Sequence, residues 1–310
     1  MAFVLSGGAG LGAVQVGMLR ALYERDISPD LIVGTSAGAL NGAFIAERPH
    51  TVATADALAG IWSSLRRGDV FPLNPLTGLL GFLGARDHLV PSSGLERLLR
   101  RHTRVELVEE LPTPLHVVAV DVLTGEELRL SCGSLLDAVL GSAAIPGVLA
   151  PVAWDGRTLM DGGVANNTPI SHAVELGADV VYVLPTGHAC ALEQAPRGAL
   201  ALALHAISLL TQRRLLDDIE QHRRNARLVV LPPPCPLRVQ PIDFGHADEL
   251  ISRALADARE FLDGGGEERP PIHMDVHRHH RLVVLRLARP ERSVQLLEQA
   301  AQLLHLARAE

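Results

Sequence analysis

Residues 31–42 read LIVGTSAGALNG. Leu31–Val33 is the apolar run of a strand buried on both faces, and from Ala37 onward small and apolar residues open a helix. Between them stands Ser36, with Gly34 two residues before it and Gly38 two residues after. A serine held out on a sharp strand-to-helix turn needs neighbours without bulk at those two places, which is the G-x-S-x-G pattern of a nucleophile elbow. The same pentapeptide also suits a compact turn that merely buries a serine, so the rest of the chain has to decide.

Upstream, Ala2–Leu5 is another apolar strand, followed by SGGAGLGA at Ser6–Ala13 and a helix from Ala13 to about Glu24. Gly8, Gly10 and Ala13 fit G-x-G-x-x-G/A, with Asp30 at the distance of a ribose-binding acid, which is a weak dinucleotide signal. The other reading is an oxyanion hole. A loop without side chains at a helix N-terminus points amides at one spot, and the helix dipole favours negative charge there. An elbow on the very next strand favours this second reading, because acyl transfer needs nucleophile and oxyanion donors at the carboxyl ends of adjacent strands.

A nucleophilic serine needs a base. All 28 basic residues are arginine, so a Ser-Lys dyad, a Schiff-base lysine and a P-loop lysine are excluded. His172 and His188 have ordinary surroundings, and His172 reads as part of a solvated helix face. Asp161-Gly162-Gly163 closes the strand Arg157–Met160, and the glycines leave room around a carboxylate that could approach Ser36 directly.

The chain has 310 residues, is 47% hydrophobic and only 3% aromatic, and carries a net charge of −7. A core of Leu, Val and Ala suits α/β layers, and the acidic balance argues against nucleic acid as a partner. Strands also fall at His116–Asp121, Glu127–Leu130, Val152–Trp154, Val180–Leu184 and Leu228–Leu231. Helices fall at Thr51–Arg66, Ala37–Glu47 and Leu200–Asn225. Alternation of buried strands and helices predicts a mostly parallel sheet covered on both faces. Gly264–Gly266 marks a linker, which divides the chain into an α/β domain at 1–263 and a strand-helix appendage at 264–310.

The appendage carries His273, His277, His279 and His280, read as a partly exposed strand and not as a metal site. Cys132, Cys190 and Cys235 have neither CxxC spacing nor an even number, which predicts reduced thiols in a cytoplasmic protein. No apolar run reaches the ~18 residues of a membrane span. The longest, Ala199–Leu210, is interrupted by His205 and runs into Arg213 and Arg214. A second apolar stretch, Leu76–Leu89, reads as a flap over the site.

Taken together, the motifs resemble the patatin-like phospholipase family, in which a glycine-rich oxyanion loop, GxSxG and DG[GA] occur in this order. The resemblance covers about residues 2 to 230 and includes LVPSSGLERLL (Leu89–Leu99), VVAVDVLTGEE (Val117–Glu127), SAAIPGVLAPV (Ser142–Val152) and DGGVANNTPI (Asp161–Ile170). It implies a three-layer α/β fold and a Ser-Asp dyad that works without histidine. Carried over, Ser36 is the nucleophile, Asp161 the base, and the amides around Gly8, Ala9 and Gly10 the oxyanion hole. Gly7, Gly12, Gly34, Gly38, Gly162 and Gly163 are the supporting glycines.

The implied activity is serine acyl hydrolysis of phospholipid or lysophospholipid esters, with transient contact at a membrane surface and no metal or organic cofactor. Leu11 stands where the family usually carries Arg or Lys, a change that backbone donors tolerate. The alternatives are a catalytically silent lipid-binding or regulatory relative and, further off, a nucleotide-binding oxidoreductase.

Overall fold

The computed structural model describes residues 1–72, 85–187, 199–235 and 239–268. Five strands carry the parallel part of its sheet: β1 (Ala2–Leu5), β2 (Leu31–Thr35), and three later strands introduced below, all nearly continuous apolar runs because helices cover both faces. Between β1 and β2 the chain passes through a 3-10 turn at Ala9–Gly12 and α1 (Ala13–Tyr23). After β2 come α2 (Ala37–Ala46), α3 (Val52–Ser64) and the single turn α4 (Arg67–Val70). β3 (His88–Val90) leads to α5 (Ser93–His102). β4 (Leu115–Asp121) and β5 (Glu127–Leu130) form a hairpin, followed by α6 (Leu135–Ser142), whose N-cap Ser134 accepts from the Asp137 amide.

The short strands β6 (Gly147–Leu149) and β7 (Val152–Trp154) precede β8 (Arg157–Asp161), and the Asp155-Gly156 pair turns β7 into β8. Two short helices, α7 (Gly163–Asn166) and α8 (Ile170–Glu175), lead to β9 (Val180–Leu184). α9 (Ala199–His222), β10 (Arg227–Val230) and α10 (Ala247–Asp263) complete the described elements.

The main sheet follows the order β10-β9-β1-β2-β4-β8-β7, with β5 also on β4, while β3 and β6 pair separately. β10, β9, β1, β2 and β4 are parallel; β5, β8 and β7 join antiparallel. From β1 the chain winds one way through α1 to β2, and from β9 it winds the other way through α9 to β10. Right-handed crossovers therefore place α1 and α9 on opposite faces and leave a crevice between the carboxyl ends of β1 and β9.

One detail of β4 positions the site. β5 lies against Val117–Val120 of β4, so it occupies one whole edge. β2 pairs with β4 up to Thr35 opposite Val118, and β8 pairs with it down to Asp161 opposite Ala119. Both must use the other edge. β2 running up and β8 running down thus meet end to end, and Ser36 and Asp161 fall at the junction.

Two expectations change at this level. Cys235 is disulfide-bonded, not a reduced thiol, and the expected cytoplasmic location loses that support; Cys132 is free and exposed. His172 lies on α8 but packs against the sheet, its Nε2 2.7 Å from Glu127 Oε1, and not on a solvated face. Of the expected flap, residues 76–84 lie outside the described residues, and His88–Val90 forms β3. His188 and the appendage after Glu268, with His273, His277, His279 and His280, also lie outside them; Gly264 caps α10, and Tyr182 Oη donates to Glu267. Among the described residues no helix is long and apolar enough to cross a membrane.

Candidate active site

Ser36 sits between β2 and α2 with φ at 53°. Positive φ is costly for a residue with a Cβ and persists only where the surroundings over-determine it. Here they do. A Cβ on Gly34 would lie 2.7 Å from the Gly38 carbonyl oxygen, and one on Gly38 would strike the Leu5 carbonyl. The elbow can therefore form only with glycine at both places. The Ser36 amide donates to Ser142 Oγ at 2.8 Å, and Ser142 Oγ donates in turn to the Val118 carbonyl at 2.5 Å. Ser142 closes α6, and the same stretch holds β8, because the Asp161 amide donates to the Ala144 carbonyl and the Gly162 amide to that of Ser142.

The two side chains meet: Ser36 Oγ donates to Asp161 Oδ2 at 2.7 Å. The Gly163 amide donates to Asp161 Oδ1 at 2.7 Å and orients the carboxylate. Both residues are buried. Burial raises the Asp161 carboxyl from its ordinary 3.8 to about 6, against the pull of the Ser36 and Gly163 hydrogen bonds. A carboxylate tuned toward neutrality is a better base than a surface aspartate.

The glycine loop crosses above. Gly7 approaches so closely that a Cβ there would lie 3.2 Å from Ser36 Cβ. Its amide donates to the Asn167 carbonyl, and its carbonyl accepts from Thr186 Oγ1 at 2.6 Å and Asn167 Nδ2 at 3.3 Å. Ala9 holds φ at 49°, the second strained residue of the site. The Gly10 amide is committed to the Pro241 carbonyl at 2.7 Å. Among the described residues no partner occupies the Gly8 and Ala9 amides. A Cβ on Gly7 would strike Asn167 Oδ1, and one on Gly8 would strike Thr186 Oγ1. Beneath the loop, Gln15 Nε2 donates to the Ser6 and Leu184 carbonyls, and Asn41 links Gly12, Gln15 and the Trp62 indole. Gly12 is needed there, since a Cβ would lie 2.8 Å from the Trp62 ring. Leu11 turns toward the core.

An apolar pocket of about 750 Å³, counted to its open mouth, adjoins Ser36. Ala37, Leu40 and Phe44 line it from one face of α2, and Trp62, Leu99 and Phe244 close it from α3, α5 and the segment before α10. From Ala37 to Phe44 the helix rises ~10 Å, so the pocket runs away from the serine along α2. Among the described histidines, His172 pairs with Glu127 and Glu175, and His102 lies in the pocket lining beside Leu99. Sequence reading missed Ser142, Thr186, Gln15 and Asn41, which carry no local motif; only the SAAIPGVLAPV stretch pointed near Ser142. Among the described residues no cluster of three or more His, Cys, Asp or Glu is set to hold a metal ion.

Comparison with known proteins adds the family. The chain is 32% identical over 193 residues to patatin-like phospholipase domain-containing protein 7 of Mus musculus, covering 60% of this chain and 14% of that one. It is 32% identical over 185 residues to an uncharacterized NTE family protein of Mycobacterium bovis, covering 59% of this chain and 48% of that one. It thus spans less than half the length of these relatives. Among solved structures it is similar to VipD from Legionella pneumophila, at 17% identity and a TM-score of 0.43, over 85% of this chain and 66% of that one. The patatin-like phospholipase model matches residues 3–174, more than half of the chain and the whole stretch from the glycine loop through Asp161; the chain belongs to the patatin-like phospholipase family.

Proposed function

We infer that the chain is a serine acyl hydrolase of lipid esters, of phospholipase A or lysophospholipase type, working with a Ser36–Asp161 dyad. The observation that carries this reading is the 2.7 Å hydrogen bond from Ser36 Oγ to Asp161 Oδ2 at the mouth of an apolar pocket. Ser36 Oγ attacks the acyl carbonyl while its proton passes to Asp161. The negative charge that develops on the carbonyl oxygen goes to amides of the glycine loop, at the positive end of a helix. We assign Gly8 and Ala9 as those donors, with Gly10 fastening the loop to Pro241. Asp161 then protonates the departing alkoxide. Water attacks the acyl-enzyme, gives its proton to Asp161, and the released Ser36 recovers the hydrogen.

The substrate class follows from the pocket, whose lining offers acyl-chain contacts and almost no polar partner. No step calls for a metal or organic cofactor, and transient contact with a lipid surface belongs to the reading. A silent lipid-binding relative would have no use for a buried serine held at positive φ against a carboxylate of raised pKa. A fluorophosphonate probe tests the reading: the native chain should label and hydrolyse p-nitrophenyl esters, and Ser36→Ala should do neither while remaining folded. Unchanged turnover in Ser36→Ala would overturn it.

A further inference from the structure

The apolar stretch Ala199–Leu210 has no part in the dyad or the acyl pocket, and its place in the fold is unusual. α9 has 24 residues, about 36 Å of helix, whereas β10, which it precedes antiparallel, has 4 residues, about 13 Å. Only about the last nine residues of the helix run beside the strand. Burial agrees, since Leu215 and Ile219 pack on the body. The remaining ~20 Å stands past the carboxyl edge of the sheet, the same edge on which Ser36 and the glycine loop lie.

The outward stripe of α9 changes character where the strand ends. Leu202, Ala206, Leu209 and Leu210 follow one another at helical spacing, all exposed, and Arg213 is next on the same stripe. Leu210 is 70% exposed and Leu202 57%. Acidic groups come a turn later, at Asp217 and Asp218, where they pair with Arg213 and Arg214. The order from tip to base is apolar, cationic, then acidic. Leu123, just past the carboxyl end of β4, and Val164, just past Asp161, expose apolar side chains on the same edge. A soluble surface rarely leaves such a set uncovered.

We propose that the overhanging half of α9 is a membrane-docking element that sets the active-site edge against a lipid surface. The chemistry of the occupant follows from the order of groups. Leu209 and Leu210 enter the acyl region, and the arginines ~6 Å further down the helix meet the phosphate layer. Two arginines placed directly behind an apolar tip suit a surface that is apolar inside and phosphate-lined outside better than a protein partner. The choice of a lipid surface rests on the acyl-hydrolase reading, but docking can be measured without turnover.

The test uses the full chain carrying Ser36→Ala, mixed with phosphatidylcholine vesicles and, separately, with vesicles that also contain phosphatidylglycerol. Binding by co-sedimentation is expected for both, with Arg213→Glu weakening only the second. Replacing Leu209 and Leu210 by Gln keeps a good helix former and should lower vesicle partitioning at least about tenfold per leucine. In the chain with Ser36 intact, the same pair should leave turnover of p-nitrophenyl butyrate unchanged. Ile207→Trp should show blue-shifted emission with vesicles and quenching by brominated lipid.

Vesicle binding unaffected by the leucine replacements, or no binding at all, would overturn the docking proposal. So would a dimer in size exclusion that the replacements convert to monomer while vesicle binding stays the same, since the stripe would then be an interface between two copies. Leucine-dependent binding by a chain that hydrolyses no ester would sink the acyl-hydrolase reading and leave the docking element standing.

Discussion

Asp161→Asn should make the protein more stable at neutral pH while removing its activity. In the native chain the carboxyl is buried and its pKa lies near 6 instead of 3.8. Between those values the folded state holds a proton that the unfolded state has lost, so stability falls as pH rises through this window. A rise from 3.8 to about 6 spans about two pH units, which at about 1.4 kcal/mol each comes to about 3 kcal/mol. Asparagine removes that cost without leaving a polar atom stranded. Its oxygen can accept from the Gly163 amide, and its Nδ2 can donate to Ser36 Oγ. Urea melts between pH 4 and pH 8 should therefore show the two proteins equal near pH 4 and the variant ahead by up to about 3 kcal/mol at pH 7. Turnover should fall by ~10²–10⁴, the usual worth of a general base. The native kcat/KM should rise with pH around a midpoint near 6. A variant no more stable than the native chain anywhere in the range, or a flat pH profile, would refute the argument that burial tunes this carboxylate.

Ser142→Ala leaves the buried Ser36 amide and the Val118 carbonyl without partners. It should cost ~1–3 kcal/mol in chemical denaturation and lower kcat more than it raises KM, because it loosens the elbow without touching the acyl pocket. Leu40→Trp, placed midway along the pocket face of α2, should spare hydrolysis of p-nitrophenyl acetate. It should depress hydrolysis of the dodecanoate ester at least about tenfold, the worth of a few lost methylene contacts; equal effects on both esters would place the acyl chain elsewhere.

Gly34, Ser36, Gly38 and the Asp161-Gly162-Gly163 run stand out in the sequence because close backbone approach constrains residue type at a fixed local spacing. The strands of the parallel sheet are legible for a similar reason, since burial on both faces writes them as unbroken apolar runs. The flap read at Leu76–Leu89 falls largely outside the described residues, and the described cavity, which no sequence pattern announced, is assembled from α2, α3, α5 and Phe244. Convergence of residues some 200 positions apart leaves no periodicity to read. The commitment of the Gly10 amide to Pro241 is hidden for the same reason. His172 misled in another way: its helix is polar enough to look solvated, but its ring turns inward to place Nε2 2.7 Å from Glu127 Oε1. Antiparallel β8 was readable as half of a hairpin, yet nothing in its residues says that it ends against β2.

The meeting of β2 and β8 on one edge of β4 makes that strand a common ruler for the proposed nucleophile and base. Thr35 and Asp161 are registered on neighbouring residues, Val118 and Ala119. That shared strand brings Ser36 and Asp161 into contact with no substrate in place. Under the proposed function, control has little purchase on the Ser36–Asp161 pair. It has to act on arrival, through whatever admits an acyl chain to the groove along α2 or brings the molecule to its lipid.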